Sequence, residues 1–197
     1  MLMFGGHRTS HQTGRSMIEM IGVLAVVGIL SMEGISMFSR VMEKFAINDT
    51  LSQLSFIVQN IYTSYHSQHN FLGFDNEMAI KSGIIPVTMV RSHKTIHNLF
   101  GGEVKMRSVS FGKGFVLIYN DLPRNACIQI ASASLDFEKN GLQYLMISPS
   151  GYRLPKNFPS TLDNGEYRSN ELPISPAQAA KDCACRDKTC GIAYFFQ

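Results

Sequence analysis

Glu19 is a carboxylate near the start of a long apolar segment. Residues 14–30 read Gly-Arg-Ser-Met-Ile-Glu-Met-Ile-Gly-Val-Leu-Ala-Val-Val-Gly-Ile-Leu, and the next charged residue is Glu33. A charge inside an apolar segment of membrane length is costly, so such a charge is usually paired and functional. The local candidate for its partner is Arg15, which lies four residues earlier on the same helical face. We therefore expect Glu19 to act electrostatically, by binding a cation.

Four cysteines form the second set of residues whose side chains could do chemistry. Cys127, Cys183, Cys185 and Cys190 all follow the apolar segment. An even number of cysteines in an exported domain predicts a disulfide framework, which here allows three connectivities. A direct bond between Cys183 and Cys185 would be strained, and two connectivities stay open. A zinc site is the alternative, but the spacing is not a standard zinc pattern and we favour disulfides.

Catalytic motifs are missing from the sequence. It contains no His-Glu-x-x-His, no phosphate-binding Gly-x-x-x-x-Gly-Lys, no Gly-x-Ser-x-Gly and no Rossmann glycine set. His66 with His69, and His93 with His97, have helical spacing but lack a third ligand, so we interpret them as surface residues. We predict no catalytic residue, no metal site, no cofactor and no enzymatic activity.

A long helix must position Glu19. The apolar character runs from Ser16 to Phe38, and at about 1.5 Å per residue this helix reaches roughly the 30 Å thickness of a bilayer core. A cleaved secretory signal is the alternative, but no Ala-x-Ala site follows the apolar segment. Apolar residues then recur at steps of three and four, and no proline occurs between Ser16 and Gln68. The pattern predicts one helix of about fifty residues, amphipathic in its second half, whose stripe is Ile47, Leu51, Leu54, Val58, Ile61 and Tyr65.

The residues around Glu19 resemble the class III signal of type IV pilins and related pseudopilins. Gly14, a small polar residue two positions later, two apolar residues and then Glu19 match that signal, and the long apolar run follows. The resemblance implies that a prepilin peptidase cuts after Gly14 and methylates the new amino terminus at Arg15, where the family usually has Phe or Met. It also implies that Glu19 neutralises the amino terminus of a neighbouring subunit in the filament.

The cysteines carry a second resemblance, to type IVb pilins. Leu122-Pro-Arg-Asn-Ala-Cys127 and Ala179-Ala-Lys-Asp-Cys183, with the apolar stretch after them, look like the paired cysteines that staple the carboxy-terminal region of those pilins to the sheet. We therefore expect Cys127 to pair with Cys183 and Cys185 to pair with Cys190.

The sequence pattern of the residues after the long helix predicts one head domain. Strand signals with glycine or asparagine turns between them occur at Ile84–Val90, Val104–Phe111, Phe115–Tyr119, Leu142–Ile147 and Gly191–Phe196. The stretch from Cys127 to Leu135 looks helical, and the stretch from Pro155 to Pro176 looks like a surface loop. The fold class we expect is α+β: a long amino-terminal helix packed by its second half on an antiparallel sheet, with a disulfide-stapled carboxy-terminal region. The expected divisions are a leader 1–14, a membrane and assembly half 15–38, an amphipathic half 39–68 and a head 69–197.

The charge pattern predicts little specific binding. The formal net charge is +3, and the basic residues are scattered without the interleaved aromatics of a single-strand binding channel. We interpret them as a solvated face and do not expect nucleic acid as a partner.

Together these features predict a structural subunit of a type IV pilus-like filament. Its expected partners are copies of itself, a prepilin peptidase, the inner-membrane pilus or secretion assembly machinery and the membrane. It would wait in the bacterial inner membrane with its amino terminus in the cytoplasm, and then enter an extracellular pilus or a periplasmic pseudopilus. The alternatives are a pseudopilin of a secretion system, a minor tip pilin acting as an adhesin or DNA-binding module, and a tethered exported protein that never polymerises.

Overall fold

One long helix dominates the amino-terminal part of the protein. The computed structural model describes residues 17–65, 67–68, 70–134, 141–151, 166–185 and 188–197. Helix α1 spans Met17–Tyr65 without interruption, which confirms the predicted long helix, although it ends three residues before Gln68. The chain divides into two compact units, Met1–Met42 and Glu43–Gln197. The described residues of the first unit, 17–42, are entirely helical.

Besides the second half of α1, the described residues of the second unit form an antiparallel six-stranded sheet and three short α-helices. The order across the sheet is β1-β2-β3-β6-β4-β5, and every neighbouring pair is antiparallel. Helices α2, α3 and α4 span Asn76–Lys81, Arg124–Ala131 and Pro176–Asp182. The strands are β1 Ile96–His97, β2 Glu103–Val109, β3 Gly114–Pro123, β4 Leu142–Ser148, β5 Glu166–Arg168 and β6 Thr189–Phe196.

The amphipathic stripe of α1 forms one wall of the core. Ile47, Leu54, Val58 and Ile61 are at most 2 % exposed, and they belong to one apolar cluster with side chains of β2, β3, β4 and β6. A stripe at helical spacing buries in this way because side chains three and four positions apart lie on the same face. The expected packing of the second half of the helix on the sheet is confirmed.

Strand β6 lies between β3 and β4 and is buried on both faces. Ile192, Tyr194 and Phe196 point into the cluster that contains α1, whereas Ala193 and Phe195 join a smaller cluster on the opposite face with Val116, Ile118 and Met146. Alternate residues of a strand point to opposite faces, so this one strand contributes to both clusters.

The stretch from Ile84 to Val90 is not the strand that its apolar residues predicted. It contains a 3-10 turn at Val87–Met89, and only Val90 makes an isolated bridge, to Ile96. Pro86 precedes the turn and has no backbone N–H to donate to a strand ladder, which explains why the apolar run does not extend a sheet.

The structure agrees in part with two other expectations, the helix near Cys127 and the loop from Pro155 to Pro176. The helical stretch expected from Cys127 is present as α3, which begins earlier, at Arg124. The stretch expected to be a loop lies outside the described residues from 152 to 165, and its described part contains β5 and a 3-10 turn at Ser169–Glu171.

Candidate assembly helix and disulfide cluster

The first half of α1 exposes its apolar side chains in all directions. Every large apolar residue from Met17 to Met42 is exposed, from 48 % at Met42 to 83 % at Met17. The helix is long and apolar enough to cross a membrane by its length and composition. A soluble monomer rarely exposes an apolar surface of this extent, so we expect lipid or protein to cover it.

The hydroxyls of two serines in this half, Ser31 and Ser39, are satisfied by the helix itself. The hydroxyl of Ser31 donates to the carbonyl of Val27 at 2.7 Å, and the hydroxyl of Ser39 donates to the carbonyl of Ile35 at 3.1 Å. Because these hydroxyls already have an acceptor, they need no water. These two serines are therefore compatible with an apolar environment.

Glycines in the first half of α1 would let another helix approach its backbone closely. At Gly22 and Gly28 an added Cβ would meet no atom within 4 Å, so the surface there is open. Small residues let two helix backbones approach each other closely, which favours helix packing in membranes.

Glu19 lies in the first turn of α1 and is exposed. A carboxylate in this position interacts favourably with the positive end of the helix dipole. The ion pairs found among the described residues join Glu77 to Lys81, Glu77 to Lys94 and Glu103 to Lys105, and Glu19 takes part in none of them. Arg15 and the expected leader 1–14, which ends at Gly14, lie outside the described residues, as do His66 and His69.

The four cysteines meet where α3, α4 and β6 converge. Cys127 lies on α3, Cys183 follows the last residue of α4, and Cys190 lies on β6. Disulfide bonds join Cys127 to Cys183 and Cys185 to Cys190, which are the two pairs expected above. The first bond joins residues 56 positions apart, and the second joins residues 5 positions apart.

The two disulfides lie against each other. The sulfur atoms of Cys127, Cys183 and Cys190, which come from both bonds, all lie within 4.8 Å of one another. These three residues are 0 % exposed, whereas Cys185 is half-buried. Three sulfurs at this spacing are the donors that a soft metal would need, but in this form they are bonded to sulfur and offer no thiolate.

Other contacts support the same region. The guanidinium Nη2 of Arg124 on α3 donates to the carbonyl of Ala180 on α4 at 3.2 Å. The hydroxyl of Tyr167 on β5 bonds to the carboxylate of Asp182, to which the amide of Gln178 also donates at 3.2 Å. The Cys127–Cys183 disulfide is thus one of several links between α4 and its neighbours.

Sequence reasoning missed a surface cavity at the end of α1. The cavity has a volume of about 650 Å³ and is lined by Tyr62, Thr63, Tyr65, Asn70, Phe71, Lys113 and Gln197. Its aromatic rings already contact each other, with centroids 5.9 Å apart for Tyr62 and Phe71 and 5.6 Å for Tyr65 and Phe71. The only sequence signal was a local concentration of aromatic residues, which did not distinguish a cavity wall from a core.

Comparisons with known proteins agree with the features above. The family model described as PilS N terminal matches residues 45–191. The chain is 23 % identical over 190 residues to the "Major structural subunit of bundle-forming pilus" of Escherichia coli O127:H6 (strain E2348/69 / EPEC), and equally to that of Escherichia coli O111:H-, with 95 % of both chains covered.

Solved structures are also similar, and one of them is a type IV pilin. The crystal structure of TcpA, a type IV pilin from Vibrio cholerae El Tor biotype, aligns with a TM-score of 0.48 and 11 % identity, covering 76 % of this chain and 99 % of that one. The family match spans most of the chain, from the second half of α1 into β6. The chain therefore belongs to the PilS N terminal family of type IV pilins.

Proposed function

We propose that this chain is a structural subunit of a type IV pilus-like filament and that it polymerises through the first half of α1. The observation that carries the proposal is the exposure of every large apolar side chain between Met17 and Met42. Burial of apolar surface contributes about 25 cal/mol per Å², so packing these residues against other copies would strongly favour assembly. Two relatives named as major structural subunits of a bundle-forming pilus support the same role, and we propose no enzymatic one.

Before assembly, α1 would hold the subunit in the inner membrane. The amino terminus would be cytoplasmic and the second unit, Glu43–Gln197, which contains the head, would be on the other side, where disulfides form. Internal hydrogen bonding of Ser31 and Ser39 supports a lipid environment for this half. The partners at this stage would be a prepilin peptidase and the pilus assembly machinery.

Processing would expose the partner of Glu19. The motif around Gly14 supports cleavage after this residue, with methylation of the new terminus at Arg15. The amine would then be available to the exposed carboxylate of Glu19 on another subunit. A buried charge costs far less free energy when it is paired than when it is unpaired. This contact would therefore also set the register between neighbouring subunits.

Mass spectrometry of the mature chain tests the processing step. We expect a chain that begins at methylated Arg15 when the protein is purified from cells that contain the peptidase. A chain that retains the residues from Met1 to Gly14 in assembled filaments would refute the cleavage.

A matched pair of variants tests the role of the carboxylate. Glu19→Ala should insert into the membrane normally and fail to enter filaments, because the neighbouring amine would have no anion. Glu43→Ala, on the same helix at the start of the head, is the control and should assemble. Normal filaments from Glu19→Ala would contradict the proposal, and counting subunits per filament would separate a major subunit from a rare tip protein.

A further inference from the structure

The buried disulfide has no direct path to reagents in solution. Cys127 and Cys183, which form it, are both 0 % exposed, and so is Cys190 of the second bond. Among the four cysteines, only Cys185 is half-buried, and its sulfur lies 3.5 Å from the carbonyl oxygen of Cys183. A thiolate must reach a sulfur atom to exchange with a disulfide, so in the folded head exchange would start at Cys185.

The second step depends on where Cys190 lies. Attack on the sulfur of Cys185 releases the thiolate of Cys190, whose sulfur is within 4.8 Å of the sulfurs of both Cys127 and Cys183. We propose that Cys190 is an internal nucleophile, through which the Cys185–Cys190 bond exchanges with the buried Cys127–Cys183 bond.

The exchange conserves atoms and electrons. An external monothiolate forms a mixed disulfide with Cys185, and the electron pair of the broken bond goes to Cys190. Cys190 then bonds to the sulfur of Cys127 or Cys183, and the other of these two becomes the thiolate. The number of disulfide bonds stays constant, so no separate oxidant is needed, and the reverse sequence returns the native pairs.

The substrate class is therefore a small thiol or the thiol of an oxidoreductase. The same path would let a mispaired buried bond be corrected after the sheet has closed around it. This inference is independent of filament assembly, because it concerns only sulfur atoms within the head.

Two variants that each lose the second bond and keep one thiol provide a matched test. Cys185→Ala keeps the nucleophile Cys190, whereas Cys190→Ala keeps the half-buried Cys185. Each variant, as the full chain in detergent, is incubated with glutathione at pH 8, alkylated at intervals and mapped by peptide mass spectrometry. We expect Cys127 and Cys183 to become reactive at least about tenfold faster in Cys185→Ala, with peptides in which Cys190 is joined to one of them. Equal rates, or faster reaction in Cys190→Ala, would overturn the proposal.

The unmodified protein gives a second measurement that does not require a variant to fold. We expect its first rearranged species to contain Cys190 bonded to Cys127 or Cys183 while Cys185 carries glutathione. The proposal fails if Cys127 and Cys183 are alkylated first, with the Cys185–Cys190 bond intact.

Discussion

Phe115 on β3 and Phe196 on β6 are directly opposite each other, and their rings stack with centroids 4.8 Å apart and planes inclined by 15°. Both side chains are 0 % exposed. Tyr62 of α1 packs edge-on against both rings, at centroid distances of 5.6 Å and 6.4 Å. This aromatic group joins the helix to the middle of the sheet.

Removing one of these rings should destabilise the head. Phe196→Ala leaves a cavity in the core, and we expect the free energy of unfolding to fall by about 3–5 kcal/mol. The measurement is urea denaturation of the full chain in detergent, followed by circular dichroism. Phe111→Ala is the control, because Phe111 is 100 % exposed and its removal should change stability little. Equal losses in the two variants would show that the stacked pair is not a core contact.

The two disulfides should differ in their contribution to stability. Replacing Cys127 and Cys183 together by alanine opens a loop of 56 residues, which costs about 4 kcal/mol in the chain-entropy estimate. Replacing Cys185 and Cys190 opens a loop of 5 residues, for which the same estimate gives about 2 kcal/mol. Urea denaturation of both double variants measures the difference. A larger loss from the pair Cys185 and Cys190 would contradict this ranking.

The hydroxyl of Tyr119 should contribute nothing to stability. It is buried without a hydrogen-bond partner among the described residues, and burial raises the pKa of Tyr119 well above its ordinary value. Tyr119→Phe removes only this group, so we expect unchanged stability or a gain of up to about 1 kcal/mol in thermal or urea denaturation. A loss above about 1 kcal/mol would show that the hydroxyl has a partner.

Asn98 provides the contrasting case for a buried polar side chain. Its amide donates to the carbonyl of Asn120 at 2.8 Å, and its oxygen accepts from the backbone N–H of Phe100 and of Gly102. Asn98→Ala leaves these backbone groups without their partner, and we expect a loss of about 1–3 kcal/mol in the same denaturation experiment. An unchanged free energy of unfolding would mean that water replaces the hydrogen bonds of the Asn98 side chain.

Glu77 should make the stability of the folded protein depend on pH. Hydrogen bonds from Lys81 and Lys94, at 2.7 Å and 3.0 Å, lower the pKa of Glu77 from 4.5 to about 2. Because the folded pKa lies below the unfolded one, the stabilisation is complete above pH 4.5 and is lost as the pH falls towards about 2. Comparing melting temperatures of the native chain and Glu77→Gln across this interval measures the effect, which should be small because the site is exposed.

Salt provides the control for that experiment. At about 1 M salt the screening length is about 3 Å, so the difference between the native chain and Glu77→Gln should shrink. A difference that is independent of pH and salt would contradict an electrostatic origin.

Periodicity and local composition were sufficient to predict the large elements. The 3.6-residue repeat from Ile47 to Tyr65 predicted the buried face of α1, and β-branched runs with intervening glycines predicted β2, β3, β4 and β6. Strands β1 and β5 have only two and three residues, too few for a visible pattern. The apolar run before Val90 misled the prediction because composition outweighed Pro86.

Residue contacts between distant parts of the chain were harder to predict. The motif around Glu19 is contained in the six residues from Gly14 to Glu19, so it can be seen in the sequence, and the role of Glu19 stays a prediction. Proximity of Cys190 to Cys127 arises from the packing of β6 beside α3, and the walls of the cavity at the end of α1 come from residues as distant as Tyr62 and Gln197. Spacing in the sequence carries no information on such tertiary contacts.

The central place of β6 has a consequence for how the head is made. The strands β1-β2-β3 and the strands β4-β5 are joined in the sheet through β6 alone, and it is the last strand of the described chain to be synthesised. Until Thr189–Phe196 lies between them, β3 and β4 each present an unpaired edge, which is a template for aggregation. The two parts of the sheet are therefore open to pairing with other chains until β6 inserts between them and closes the sheet.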